Sequence, residues 1–381
     1  MNSIYLTHAN ILLPDGELQD SALLVESGII TAIAPDSGGR AAEINLKGKT
    51  LMPGAIDLHC DALEKEAEPR PNVHFPLDFA CAQVDKRNAA AGVTTVFHAL
   101  SFANHELGVR NNHFAAQIAQ AVHAWAPYAL IDNRVHCRYE VTDPSGPEIL
   151  LALLENKEMH MLSVMDHTPG QGQYQEITAY RQYLALTYNK SEAELDVIIK
   201  NKRVQANGAL NRIQQLVAHT RKKGIPVASH DDDSAEKVAL MHELGVGLSE
   251  FPLNLEAAKT AQKLRMATIF GAPNILRGKS QSGAMRALDA ILHNVADCLC
   301  ADYHPATLLA AVFRLPEMAD MPLYAAARLV TANPARAAGL GDRGEIAVGK
   351  RADLVAVGLT KGLPQACKVW RAGKQVFEAA Y

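Results

Sequence analysis

His59 and Asp61 stand two residues apart in the segment GAIDLHCDAL, residues 54–63, where an apolar run turns polar. Side chains two apart on an extended strand share a side, so this imidazole and carboxylate can close together on one divalent cation. Similar groups recur where other apolar runs end: Glu140, then Asp166 and His167, then His230 followed by three aspartates, then Asp302 and His304. A lone histidine at a strand end is more often a hydrogen-bonded structural group than a ligand. So many nitrogen and oxygen donors at equivalent places favour a site for one or two divalent cations instead. Such a cation lowers the pKa of bound water from about 15.7 to roughly 7 and polarises an electrophile, so no serine or cysteine nucleophile is needed. Cys60 faces away from the pair by strand alternation and reads as packing.

These residues need a scaffold that brings strand ends together. The runs LMPGAIDLH, GVTTVFHAL, RVHCRYEV, HMLSVMDH, IPVASHDD, GVGLSEFP, ATIFGAP and DCLCADYHP are separated by helix-like stretches. Eight strand–helix units predict an α/β fold, a (β/α)8 TIM-like barrel over residues 51–342, with its active site at the carboxyl ends of the strands. Residues 1–50 and 343–381 read instead as short alternating strands between glycine and proline turns, and predict a small composite β-sandwich built from both chain ends. Residues 174–223 are helical in pattern and too long for one crossover, which predicts a helical insertion. No internal repeat or low-complexity tract interrupts the chain.

Composition narrows the function. A chain of 381 residues, 48% hydrophobic and 20% charged, can bury a sizeable core. Its formal net charge of -4 gives no overall attraction to nucleic acid or an anionic membrane, so an anionic ligand must be met by local cations. No apolar stretch nears the ~18 residues of a membrane span. The six cysteines form no CxxC pair, and no signal-peptide pattern precedes MNSIYLTHANILLPDG, which points to the reduced cytoplasm.

The first-strand segment LMPGAIDLHCD, together with ASHDD, GAPNILRGKSQSG, ADYHPATLL and RADLVAV, resembles the amidohydrolase superfamily. Within it, the ordered set HCDALEKEAEPRP, SVMDHTPGQGQY, ASHDDD, GAPNILRG and ADYHP is similar to the diphosphatases of phosphonate metabolism, over almost the whole chain. The resemblance implies a centre of one or two ions, zinc first, with manganese or iron as alternatives. It implies His59 and Asp61 as ligands of a first metal, Glu140 as a bridging carboxylate, and His167 and His230 as ligands of a second. Asp302 matches the superfamily's metal-bound carboxylate and proton acceptor. The substrate implied is a phosphorylated ribose, a 5-triphosphate cut to 5-phosphate and pyrophosphate, and a homodimer is common among similar proteins. An amidohydrolase or deaminase cleaving a C–N bond of a cyclic amide or nucleobase stays open as the alternative.

The loops carry cations suited to phosphate. EKEAEPRP brings Lys65 and Arg70 just past the first ligands, and APNILRGKSQSG brings Arg277, Lys279, Ser280 and Ser282 after the seventh strand, a frequent phosphate-binding place in such barrels. Arg70, Arg277, Lys279, Ser280 and Ser282 are therefore the expected substrate-binding residues. Lys65 lies among Glu64, Glu66 and Glu68, where pairing with a neighbour competes with a substrate role. Arg134 and Arg138, on the third strand, would each need a carboxylate partner if buried.

Overall fold

A computed structural model describes residues 3–70, 73–104, 111–168, 181, 191–280 and 283–381. The alternating segments at the start form β1 (Ser3–Leu13), β2 (Gly16–Glu26), β3 (Ile29–Ile33), β4 (Ala42–Asn45) and β5 (Thr50–Pro53). The chain then enters β6 (Ala55–Cys60), β7 (Val93–Phe102), β8 (Asp132–Glu140), β9 (Met161–Met165), β10 (Val227–His230), β11 (Leu248–Glu250), β12 (Ala267–Gly271) and β13 (Cys298–Cys300). These eight strands are the eight apolar runs of the sequence. They pair in chain order in one parallel sheet. The sheet closes where Asp302 N donates to His59 O at 2.9 Å and Asp61 N donates to Asp302 O at 2.6 Å, so three expected ligands meet at the seam.

The chain end returns as β14 (Leu354–Thr360), β15 (Leu363–Arg371) and β16 (Lys374–Glu378). The path β16-β15-β14-β5-β1-β2-β3, with β4 beside β1, is one mixed sheet drawn from both ends. Ile30 N donates to Lys350 O and Ala352 N to Gly28 O, which turns the sheet back on itself around Leu6, Val25, Ile30, Leu354 and Trp370. Val355, Val357 and Val369 join the barrel's outer core, which welds the two units.

Alternation along the strands sorts side chains between two layers. Ile56, Leu58, Phe97, Met161, Ala228, Leu248, Ile269, Cys298 and Cys300 fill the barrel's interior. Val135, Cys137, Tyr139, Leu162, Val164, Phe270 and Leu299 pack outward beneath the helices. The interior layer is apolar, so the polar inward positions above it form a separate layer at the mouth.

Part of the expected insertion at 174–223 lies outside the described residues. Of the described part, the helix Glu192–Gln205 begins at a capping box, Ser191 with Glu194, as SEAE suggests. The next helix, Ala209–Lys222, packs on β9 and β10 and is the barrel's own crossover between them. The described part of the expected span thus holds two helices, of which the second packs against barrel strands.

Candidate metal centre at the mouth of the barrel

His59 reaches the mouth through an irregularity. The β6–β7 register shifts between Asp57 and Cys60, so Leu58 fills the interior and His59, the very next residue, still faces the mouth. Buried Asp57 holds this bend: its Oδ1 accepts from His59 N at 3.2 Å and from Ala301 N at 3.0 Å. Burial pushes the Asp57 carboxyl up to about 7. Cys60 packs in the outer core, as alternation predicts.

Around His59 the donors converge. Its Nδ1 lies 3.2 Å from Glu250 Oε1 and its Nε2 3.4 Å from Asp61 Oδ1. His136 Nδ1 donates to Leu58 O at 3.0 Å, which leaves Nε2 as the lone-pair nitrogen, 3.7 Å from Glu250 Oε2. Arg138 donates from Nη1 to Asp61 Oδ1 at 3.2 Å and from Nη2 to His230 Nε2 at 3.3 Å. His230 Nδ1 lies 3.2 Å from Asp231 Oδ2, and His167 Nδ1 2.9 Å from Glu140 Oε2. Asp231 and Asp302 adopt left-handed backbone, φ 54° and 55°, which turns each aspartate at the end of its strand.

Electrostatics match a site built for positive charge. Burial opposes ionisation of Glu250, yet His136 and His59 facing it hold its carboxyl well below the usual range. Burial likewise opposes charge on His59, but Glu250 and Asp61 raise it above its ordinary value. Burial and the neighbouring Asp61 carboxylate lift Asp302, while His59, Arg138 and Lys65 pull it back.

The residues fit a divalent cation. Three sets, His59–His230–Glu250, His167–His230–Asp231 and His59–Asp61–Asp302, each bring ligand atoms within 4.8 Å of one another. His136 Nε2 and Glu250 Oε2 are buried, face each other and have no hydrogen-bond partner, as expected of groups awaiting a cation. Nitrogen and carboxylate oxygen are the donors of zinc and of harder first-row ions.

Five of the six expected ligands, His59, Asp61, His167, His230 and Asp302, belong to these sets. Glu140 does not: its Oε1 accepts from Thr142 Oγ1 at 2.7 Å, and its other oxygen faces His167. It lies beside one of these sets, with Oε2 2.9 Å from His167 Nδ1. Glu250 and Asp231 join these sets from outside the expected ligands, and His136 faces Glu250 beside them. Glu250 was legible, because it ends the sixth apolar run as His230 ends the fifth, and the two are register partners. His136, Arg138 and Glu140 share one face of β8, as their i, i+2, i+4 spacing requires.

The expected substrate residues are less gathered. Arg277 is exposed at the rim, where its Nη1 donates to Tyr303 Oη at 3.3 Å. Arg70 and Lys279 are exposed and Ser280 half-buried, and among the described residues no hydrogen bond or ion pair joins the side chain of any of them to the cluster. Ser282 lies outside the described residues.

The amidohydrolase family model matches residues 50–376. The chain belongs to the amidohydrolase family. It is 33% identical over 371 residues to the alpha-D-ribose 1-methylphosphonate 5-triphosphate diphosphatase of Escherichia coli (strain K12), covering 96% of this chain and 98% of that one. Among solved structures, N-acetylglucosamine-6-phosphate deacetylase from Pasteurella multocida superposes with TM-score 0.67 at 14% identity, covering 98% of this chain and 99% of that one. A 5-methylcytosine deaminase from Klebsiella pneumoniae superposes with TM-score 0.66 at 15% identity, covering 99% and 98%. At such identities the superpositions speak to the amidohydrolase fold alone. This amidohydrolase-family chain is a hydrolase related to the phosphonate-pathway diphosphatase, and among its described residues no helix is long and apolar enough to cross a membrane.

Proposed function

We propose that this hydrolase cleaves alpha-D-ribose 1-methylphosphonate 5-triphosphate to the 5-phosphate and pyrophosphate, with a divalent cation, zinc first, held at the barrel mouth. The observation that carries the reading is the 33% identity extending over 96% of the chain, so that barrel, loops and mouth are all compared with those of the diphosphatase. His59, Asp61, His230, Glu250 and Asp302 would hold the cation, with His167 and Asp231 available to a second. A bound divalent cation supplies an acidified water and Lewis-acid polarisation of the phosphoryl oxygen.

The chain's own residues do the rest. Asp302 takes the proton of the attacking water on a carboxylate oxygen and returns it to the departing pyrophosphate oxygen. Attack at the α-phosphorus forms one P–O bond and breaks the bond to the β-phosphate oxygen. Arg138 anchors Asp61, and Glu140 orients His167. Rim cations meet the negative charge of the leaving group. The enzyme works as a cytoplasmic homodimer in this reading, and six free, buried cysteines support a reducing compartment.

The test is pyrophosphate release from the ribose triphosphate by purified, zinc-loaded protein. Inactivity there, alongside efficient hydrolysis of a cyclic amide or nucleobase C–N bond, would reject the reading.

A further inference from the structure

Tyr303 follows Asp302 directly, at the end of the eighth strand–loop unit. Two cations from distant segments meet on its side chain. Lys65, from the short helix Ala62–Ala67 after the first barrel strand, places Nζ 5.0 Å from the ring centroid. Arg277, the last residue of the short helix Ala272–Arg277 after the seventh, donates to the phenol oxygen at 3.3 Å.

The acids flanking Lys65 do not hold it there. Glu64 is buried and accepts from Ser101 N at 2.7 Å, and Glu66 pairs with Arg87. Among the described residues, neither Lys65 nor Arg277 makes an ion pair with a carboxylate. Both are exposed. Gathering two cations that lack an ion-pair partner on one tyrosine side chain costs Coulomb energy that a cation–π contact only partly offsets. A bound polyanion removes that cost.

We propose that Tyr303 gathers Lys65 and Arg277 into a clamp for the diphosphate end of the substrate, set beside the proton-accepting Asp302. The clamp rests on the diphosphatase reading for the name of its ligand. Lys65 and Arg277 contact the β- and γ-phosphate oxygens, and Tyr303 is a positioning residue: its ring is the platform for Lys65 and its oxygen the anchor for Arg277. Lys65 supplies a compact charge with three donors and Arg277 a planar fork, which together suit a flexible chain of phosphates.

The probe is inorganic pyrophosphate, titrated calorimetrically into zinc-loaded wild type and into Lys65→Gln, Arg277→Gln and Tyr303→Phe of equal zinc content. Each cation variant should bind pyrophosphate about tenfold more weakly, the size of a lost charged hydrogen bond. It should raise KM for the triphosphate by a similar factor with a smaller loss in kcat. Tyr303→Phe keeps the ring and loses the anchor, so it should weaken binding less than either. Unchanged pyrophosphate affinity and KM in both cation variants of a triphosphate-hydrolysing wild type would overturn the clamp and leave the diphosphatase reading standing. A wild type inactive on the triphosphate, whose variants still lose pyrophosphate affinity, would reject that reading and with it the leaving-group role.

Discussion

The Arg138 guanidinium lies 3.2 Å from the Asp61 carboxylate, with both side chains largely buried, inside the cluster that fits a metal. A permanent cation there neutralises Asp61 before any ion arrives. Its other nitrogen meets His230, so one side chain from β8 ties together candidate ligands from two different strand ends.

Replacing Arg138 with Met should leave Asp61 buried without its partner and destabilise the metal-free protein by about 3 kcal/mol. Added zinc should recover much of that loss, because a cation on Asp61 replaces the missing charge. Denaturant unfolding with and without zinc checks this. Equal stability of variant and wild type without metal would show that Asp61 does not depend on the guanidinium.

Asp302→Asn keeps the size of the side chain at the seam and removes its capacity to take a proton. Turnover should fall at least about a hundredfold, within the usual range for a general acid–base group. The melting temperature should stay close to wild type, because the seam hydrogen bonds use the backbone of residue 302. Turnover within a few-fold of wild type would remove Asp302 from the proton relay.

Glu250→Gln tests whether the carboxylate between His59 and His136 serves a cation. Zinc affinity, measured by competition with a chromophoric chelator, should drop at least tenfold, the range seen when groups around a metal lose charge. Full zinc affinity in the variant would exclude Glu250 from the centre.

Asp132 ties the chain after the barrel to the barrel wall. Arg343 Nη1 donates to its carboxylate at 2.6 Å and Arg134 Nε at 3.1 Å. Burial opposes ionisation, but the two guanidinium groups hold the Asp132 carboxyl below its ordinary value. Its stabilising contribution is therefore present above the unfolded value near pH 4 and is lost as pH falls through the lower folded value. Asp132→Asn should cost about 2 kcal/mol at neutral pH and flatten the decline in stability below pH 4. An unaltered acid limb in pH-dependent unfolding would show that this carboxylate does not contribute to it.

Gly54 leads into β6 where β7 crosses closely. A Cβ at this position would sit 2.8 Å from Thr94 Cβ and closer still to its branches. Thr94 is fully buried and β-branched, so it cannot swing aside. Gly54→Ala should destabilise by about 2 kcal/mol, and adding Thr94→Ala should recover part of that in a double-mutant cycle. Strict additivity of the two changes would show that the contact is not the cause.

Much of this architecture was legible from order along the chain. A strand buried on both faces must be apolar, and its first polar inward residues must appear where it leaves the core, so eight apolar runs with His59, His167, His230 and Asp302 at their ends marked both the barrel and its mouth. Local rules also account, once the elements are known, for His136, Arg138 and Glu140 on one face and for the capping box at Ser191. What they could not supply was height. Which inward residues from different strands stand level is decided by strand register and by the shift in β6, and these put Glu250 and His136 against His59 and Glu140 against His167. Partners of exposed charges were equally hidden: Glu64 and Glu66 neighbour Lys65 in sequence, yet their side chains point elsewhere and the lysine meets Tyr303. Alternation and hydrophobicity act between near neighbours and can be read one segment at a time. Coordination and ion pairing act across space, so only the closed barrel determines who meets whom.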